Sequence, residues 1–218
     1  MYVVGIDIGG QTTKLGVVDA RGTVLAQTVI RTDTYTDITP YIGELAVALN
    51  KIIAEAGVEG KVKGIGVGAP NGNYYTGTIE NAVNLSWGGT QTIEFAKLLS
   101  EAMNGLPVAL TNDANAAILG EVKFGIAKNY KNVVMLTLGT GVGGGLYIEN
   151  KLYEGNKGKG AELGHALFRY NGRQCTCGRK GCIEAYCSAS ALSPIIASPK
   201  IYKVSSGATL ELNLSTIA

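Results

Sequence analysis

Val3-Val4-Gly5-Ile6-Asp7-Ile8-Gly9-Gly10-Gln11-Thr12-Thr13-Lys14-Leu15-Gly16-Val17-Val18 is a β-rich run broken once, at a glycine pair. Tyr2–Ile8 is apolar and β-branched, so it predicts a strand that carries Asp7 near its end and leads into Gly9-Gly10. Leu15–Val18 and Thr23–Ile30 predict two more strands, separated by the turn residues Asp19-Ala20-Arg21-Gly22. The same plan returns at Val133–Ile148. There the apolar run Val133–Leu138 meets Gly139-Thr140-Gly141-Val142-Gly143-Gly144-Gly145 and resumes through Gly145–Ile148. Two glycine-turn hairpins of one kind predict two related lobes facing a shared cleft. Between them, apolar residues at 38, 41, 42, 45, 49, 52, 53 and 56 keep a helical period. Val62–Val67 and Val108–Leu110 read as buried strands, and Ile93–Met103 and Ala114–Val122 as helices. Gly68 to Gly89 has no regular period and reads as loop. Strands and helices mixed in this order predict an α/β architecture.

Composition narrows the function classes. The 218 residues carry a formal net charge of +2 and only 17% charged side chains, so no nucleic-acid footprint is expected. No apolar run is long enough to span a bilayer, and no basic region precedes an apolar core at the N-terminus. A cytoplasmic location is expected, where thiols stay reduced and clustered cysteines read as metal ligands. Glycine occurs 31 times, concentrated in short clusters, which points to close approach of backbone to ligand.

The clearest chemistry lies between Glu162 and Glu184. His165 is the only histidine, and three of the four cysteines fall at Cys175, Cys177 and Cys182. One imidazole and three thiolates fill a tetrahedral shell and leave no open position for water, so a zinc ion there is structural. Gly178 and Gly181 let the chain wrap tightly. The alternative is a pair of buried cysteines near a buried histidine, and the remaining Cys187 reads as a small buried residue. Glu162 and Glu184 bracket this loop. Polar side chains held so rigidly suit a polyhydroxylated ligand, because a buried group left unpaired costs a few kcal/mol.

Three other segments carry functional readings beside plain ones. In Asp7–Lys14, Gly9 and Gly10 bring main-chain N–H groups within reach of phosphate oxygens, while Thr12 and Thr13 offer hydroxyls. Asp7 would hold Mg²⁺ through water; the plain reading is an ordinary glycine hairpin. Gly139, Thr140, Gly141 and Gly143 would form a second phosphate cradle; the plain reading, a flexible linker, fits poorly with the apolar runs Val133–Leu138 and Leu146–Ile148 on either side. The cradle is neither a Walker loop nor a dinucleotide fingerprint, since a strand follows rather than a helix. Thr111-Asn112-Asp113-Ala114-Asn115 marks a strand end and a helix start, where Asp113 serves either as helix cap or as general base for phosphoryl transfer to an alcohol. Asn71, Asn84 and Trp87 would add amide contacts and an apolar face, or simply pack their loop.

With these residues in place, the chain resembles the ROK family of sugar kinases, its glucokinases above all. The matching features are Asp7-Ile8-Gly9-Gly10, Asn84-Leu85 before Trp87, Asn112-Asp113-Ala114-Asn115-Ala116-Ala117, Gly139–Gly145, Glu162-x-Gly164-His165 and the Cys175-to-Glu184 motif. They cover residues 1 to about 192. The resemblance implies an α/β fold of two lobes, of the actin/hexokinase (ribonuclease-H-like) type, closing on ATP, Mg²⁺ and a hexose. It implies Asp113 as base for the 6-hydroxyl, Asn112 as a sugar ligand, and Glu162, His165 and Glu184 as partners of ring hydroxyls. His165 would give one nitrogen to zinc and the other to sugar. Asn84 and the Gly68–Asn71 turn would complete the sugar pocket, and the two glycine turns would hold the nucleotide. Dimers are common among such relatives, and glucose is the first substrate expected.

Two departures from the family stand out. Gln11 takes a place usually held by threonine. Beyond about Leu192 the chain leaves the family pattern, as a truncation, frameshift or misplaced gene end would make it. The expected division is therefore 1–112 as first lobe, 113–192 as a partial second lobe with the zinc loop, and 193–218 as a divergent tail. A family repressor would need a helix-turn-helix before the first strand, and Met1 starts almost on that strand. The rival expectation is a zinc-stabilised sugar-binding fragment without kinase activity.

Overall fold

The computed structural model describes residues 1–155 and 160–196, with the two-residue strands Tyr202–Lys203 and Thr209–Leu210. Most of the tail expected at 193–218 lies outside the described residues. By its internal contacts the chain forms two compact units. The first is Met1–Met135 with Gly145–Ala161, and the second is Leu136–Gly144 with Glu162–Ala218. The boundary expected at 112/113 thus falls inside the first unit.

The first unit is built on β1 (Tyr2–Ile8), β2 (Thr12–Asp19) and β3 (Val24–Arg31), the antiparallel meander read from the opening run. Helix α1 (Ile38–Glu55) follows, its start fixed by Asp37, whose side chain accepts from Thr39 N at 2.8 Å. Strand β4 (Val62–Ala69) then pairs parallel to β1. After helix α2 (Phe95–Ala102), strand β8 (Val108–Asn112) pairs parallel to β4. The sheet order is β3-β2-β1-β4-β8. Alternation along β1 sends Val4, Ile6 and Ile8 to one face. There they pack with Leu45, Leu49 and Ile52 of α1, all essentially inaccessible to solvent. On the opposite face, α3 (Asp113–Lys123) lies over the β4 end of the sheet, with the Ala116 Cβ seated on Gly68.

The stretch expected to be loop holds a small sheet of very short strands, β5 (Gly72–Asn73), β6 (Thr78–Glu80) and β7 (Thr92–Ile93). Two or three residues are too few to show a period, which is why the pattern is absent from the sequence. β7 also takes Ile93 from the expected helix. Trp87 belongs to the core: 3% exposed, it stacks on Tyr41 at 4.9 Å and on Phe95 at 6.0 Å.

Strands β9 (Val133–Leu138) and β10 (Val142–Ile148) carry the chain from one unit to the other and back, and β11 (Lys151–Leu152) completes the order β11-β10-β9. The second unit adds a 3-10 turn at Leu163–His165, the short helix α4 (Glu184–Cys187) and α5 (Ala189–Ile196). Cys187, expected to be buried, is exposed as the last residue of α4, a helix with no buried residue. No helix among the described residues is long and apolar enough to cross a membrane.

Candidate active site

Strands β1, β4 and β8 run parallel, so their C-terminal ends share one edge of the sheet, where α/β sheets bind their ligands. Register places Asp7 of β1 beside Gly68 of β4, and Gly68 beside Thr111 of β8. Gly68 has no side chain to separate its neighbours, and a Cβ there would lie 3.4 Å from the Cα of Asp113. Asp7 and Asp113 are therefore gathered at one edge.

The helix cap at this edge is Asn112, not Asp113. Asn112 has extended backbone and its Oδ1 accepts from Ala114 N at 2.9 Å. Asp113 occupies the first turn, where its Oδ1 accepts from the same N–H at 2.8 Å. Part of the Asp113 side chain meets solvent, yet it is crowded enough that lost hydration pushes its carboxyl above the usual aspartate range. The Ala114 N–H opposes that rise, and the negative charge of Asp7 reinforces it.

The first glycine turn is closed by Gly9 N donating to Thr12 O at 3.0 Å. A Cβ on Gly10 would meet Asn84 O at 2.9 Å, so the turn lies against the loop expected to bind sugar. Asp7 is exposed, with Lys14 Nζ 3.9 Å from its Oδ2. Thr13 requires a correction. It is fully buried, and its hydroxyl bonds Thr32 at 2.8 Å and the Tyr41 hydroxyl at 2.5 Å. Strand alternation sends Thr13 to the core face with Leu15 and Val17, leaving Thr12 and Lys14 on the other. The buried Tyr41 hydroxyl is pushed up to about 12, first by lost hydration. Asn71 sits at φ +54° and its amide donates to Asn81 O at 2.9 Å.

In the second unit, the donor atoms of His165, Cys175, Cys177 and Cys182 all lie within 4.8 Å of one another. His165 Nδ1 is 3.6 Å from Cys175 Sγ, and Cys177 Sγ is 3.7 Å from Cys182 Sγ. A tetrahedral ion with Zn–S near 2.3 Å needs S···S edges of about 3.8 Å and N···S edges of about 3.6 Å, so the set fits zinc. Gly178 and Gly181 take φ +86° and +85°, the left-handed region that favours glycine.

Glu184 is half-buried between this loop and the second glycine turn. Its Oε2 accepts from Val142 N at 2.9 Å and its Oε1 from the Thr176 hydroxyl at 2.9 Å. Lost hydration acts to raise its carboxyl, but these two donors and the nearby His165 outweigh it and hold the carboxyl below the ordinary glutamate value. A Cβ on Gly141 would strike Glu184 Oε2 at 2.5 Å. The turn is tied down again by Ala189 N donating to Gly139 O at 2.8 Å and the Ser190 hydroxyl to Thr140 O at 2.9 Å. Glu162 is exposed at the start of the 3-10 turn, and its carbonyl accepts from His165 N at 3.0 Å. Sequence reasoning missed Thr176, Ser190 and the Glu184–Val142 bond. The only signal for Thr176 was its place between two ligands.

Residues 3–212 match the model of the ROK family. The chain belongs to the ROK family. This ROK chain is 41% identical over 191 residues to a glucokinase of Streptomyces coelicolor, covering 87% of this chain and 57% of the relative. A ROK glucokinase from Streptomyces griseus, solved in complex with glucose and AMPPNP, superposes with a TM-score of 0.74 at 34% identity. That match covers 90% of this chain and 60% of the other. A xylose repressor from Caldicellulosiruptor bescii is 31% identical over 196 residues, 89% of this chain and 48% of the repressor. The fold is thus the α/β, actin/hexokinase-like fold of ROK glucokinases, and the chain spans about three fifths of the length of the two glucokinases.

Proposed function

We propose that this ROK chain carries the sugar and phosphate sites of an ATP-dependent hexose kinase, with glucose as first substrate. The observation that carries the reading is Asp113 at the shared strand edge. Its carboxyl is raised above the usual aspartate range, the direction useful for taking a proton, and it shares the Ala114 N–H with the cap residue Asn112. In this reading Asp113 accepts the proton of the sugar hydroxyl as that oxygen forms its bond to the γ-phosphorus and the bond to ADP breaks. Asn112 and Asn84, with the Asn71 carbonyl oxygen, orient the sugar, while Glu162, Glu184 and whichever ring nitrogen of His165 does not face the ion accept from or donate to ring hydroxyls. The turns at Asp7, Gly9, Gly10 and Thr12 and at Gly139, Thr140, Gly141 and Gly143 offer N–H groups to phosphates. Zinc, held by His165, Cys175, Cys177 and Cys182, would supply a closed structural shell and no nucleophile. Asp7, exposed and only distantly paired to Lys14, would hold Mg²⁺ through water, and the ion would supply charge neutralisation at the phosphates.

Coupled ADP-release assays on the 218-residue protein with ATP, Mg²⁺ and glucose test the reading. Asp113→Asn is expected to cut turnover by roughly 10²–10⁴-fold while sparing glucose affinity. Turnover unchanged in the variant would remove Asp113 as the base. A second reading is favoured by the share of the glucokinases that the chain spans, 57% and 60%. On it, the chain binds sugar and zinc but transfers no phosphate. Glucose and zinc binding without turnover in the unsubstituted protein would select that reading.

A further inference from the structure

The first glycine turn and the stretch Asn84–Trp87 meet, beneath the surface, on one tyrosine of α1. Thr32, just past β3, holds the turn from one side, its N–H donating to Gln11 O at 2.9 Å. The Thr32 hydroxyl lies 2.8 Å from that of Thr13, and the Thr13 hydroxyl lies 2.5 Å from that of Tyr41. All three residues are fully buried. Thr13 stands at the centre and, as a hydroxyl, can donate to one neighbour while accepting from the other. The ring of the same tyrosine serves the second segment. It stacks on Trp87 with centroids 4.9 Å apart and planes 26° from parallel. Trp87 Nε1 finds no acceptor among the described residues, so ring faces place its indole. Two more contacts bring the segments together. The Ser86 hydroxyl donates to Tyr35 O at 2.6 Å, and Tyr35 N donates in turn to Thr32 O at 3.4 Å. A Cβ on Gly10 would meet Asn84 O at 2.9 Å, so the two backbones touch.

We propose that Tyr41 is a positioning residue that couples the first glycine turn to Asn84–Trp87: its hydroxyl sets the turn through Thr13 and Thr32, and its ring sets Trp87. Phe95, the other ring stacked on Trp87, has no polar atom with which to reach the turn. Hydrogen bonds weaken steeply away from their preferred geometry, so movement of the turn is passed to the Tyr41 ring rather than absorbed. The coupling runs equally in reverse, because a coupling free energy is shared by both sites. Giving the turn to phosphate and Asn84 to sugar rests on the hexose-kinase reading above; the coupling itself does not.

Trp87 is the only tryptophan of the chain, so its emission reads the Asn84–Trp87 stretch directly. Thr13→Val removes the central hydroxyl at similar volume. It is expected to shift Trp87 emission and to speed amide exchange at Gly9 and Thr32, while Thr13→Ser keeps the unsubstituted emission. In a Tyr41→Phe background, where the link is already cut, Thr13→Val is expected to leave emission unmoved. Thr32→Val cuts the hydroxyl chain from its far end and stands in should Thr13→Val fail to fold. With ATP, Mg²⁺ and glucose, Tyr41→Phe is expected to raise the KM for ATP about three- to tenfold, the worth of one hydrogen bond, with glucose affinity nearly unchanged. Tyr41→Leu, which also removes the ring face, is expected to weaken glucose binding as well. A tyrosine that only fills the core would weaken both ligands alike in Tyr41→Phe, and that result would overturn the proposal. So would emission indifferent to Thr13→Val, or shifted equally in both backgrounds. An unsubstituted chain that neither binds glucose nor turns over would defeat the hexose-kinase reading instead, and the emission cycle would still decide the coupling.

Discussion

Asp113 is pulled in two directions: lost hydration and the charge of Asp7 raise its carboxyl, and the Ala114 N–H lowers it. The net rise means that the ionised form is fully present only above the ordinary aspartate range and disappears as pH falls through the raised value. Carboxyl-carbon NMR should therefore place the Asp113 midpoint above that of a solvated aspartate, and Asp7→Asn should bring it down. An unmoved midpoint in Asp7→Asn would mean that the two carboxylates do not sense each other. Tyr41 gives a stability prediction of definite sign. Its folded value of about 12 lies above the unfolded value near 10, so between those pH values only the unfolded state releases the proton and stability falls as pH rises. The loss reaches about 2 kcal/mol at pH 12. Urea midpoints should fall less steeply over that window in Tyr41→Phe, and identical slopes would remove Tyr41 from the account. The placement of Thr13 was legible, since it alternates with Leu15 and Val17; the pull of a phosphate-like motif simply outweighed the period-two rule. By contrast, the Glu184–Val142 bond joins residues 42 apart, and no local pattern encodes it.

Among the elements, the Cys175–Glu184 loop was the most legible, because a metal shell demands ligand types at short spacing and glycines where the chain turns left-handed. The small sheet of β5, β6 and β7 was the least, since its strands are too short for a period and its form depends on what packs around it. The loop's backbone ties, Ile183 N to Ala166 O at 3.0 Å and Phe168 N to Gly181 O at 2.8 Å, show how the four candidate metal ligands and Glu184 share one framework. Removing the proposed zinc should therefore cost more than the ion. Structural zinc is worth on the order of 10 kcal/mol to such a site. Chelation should raise amide exchange across Glu162–Glu184 and abolish glucose binding; glucose affinity unchanged in metal-free protein would break the link between loop and sugar. Gly181→Ala tests the same element without a chelator. Its Cβ would strike Arg169 O at a residue already at φ +85°, so zinc content should fall, at a strain of about 1–3 kcal/mol.

At the scale of the whole molecule, bare apolar surface marks where copies of the chain can meet. Strand β9 ends the order β11-β10-β9, and its alternate residues Val134, Leu136 and Leu138 are 69%, 52% and 69% exposed. An edge strand with a row of bare aliphatic side chains is a template for pairing with other chains. Natural sheets blunt such edges with charge, and β9 has none between Val133 and Leu138. The 218-residue protein by itself should therefore self-associate through β9 as concentration rises. Leu136→Lys places a charge in the middle of that row at an exposed position, so it should raise the concentration at which light scattering begins, with little change in thermal midpoint. Scattering that starts at the same concentration would show that association runs through another surface. Improved solubility together with a lowered midpoint would show instead that Leu136 packs within the folded chain, contrary to its exposure.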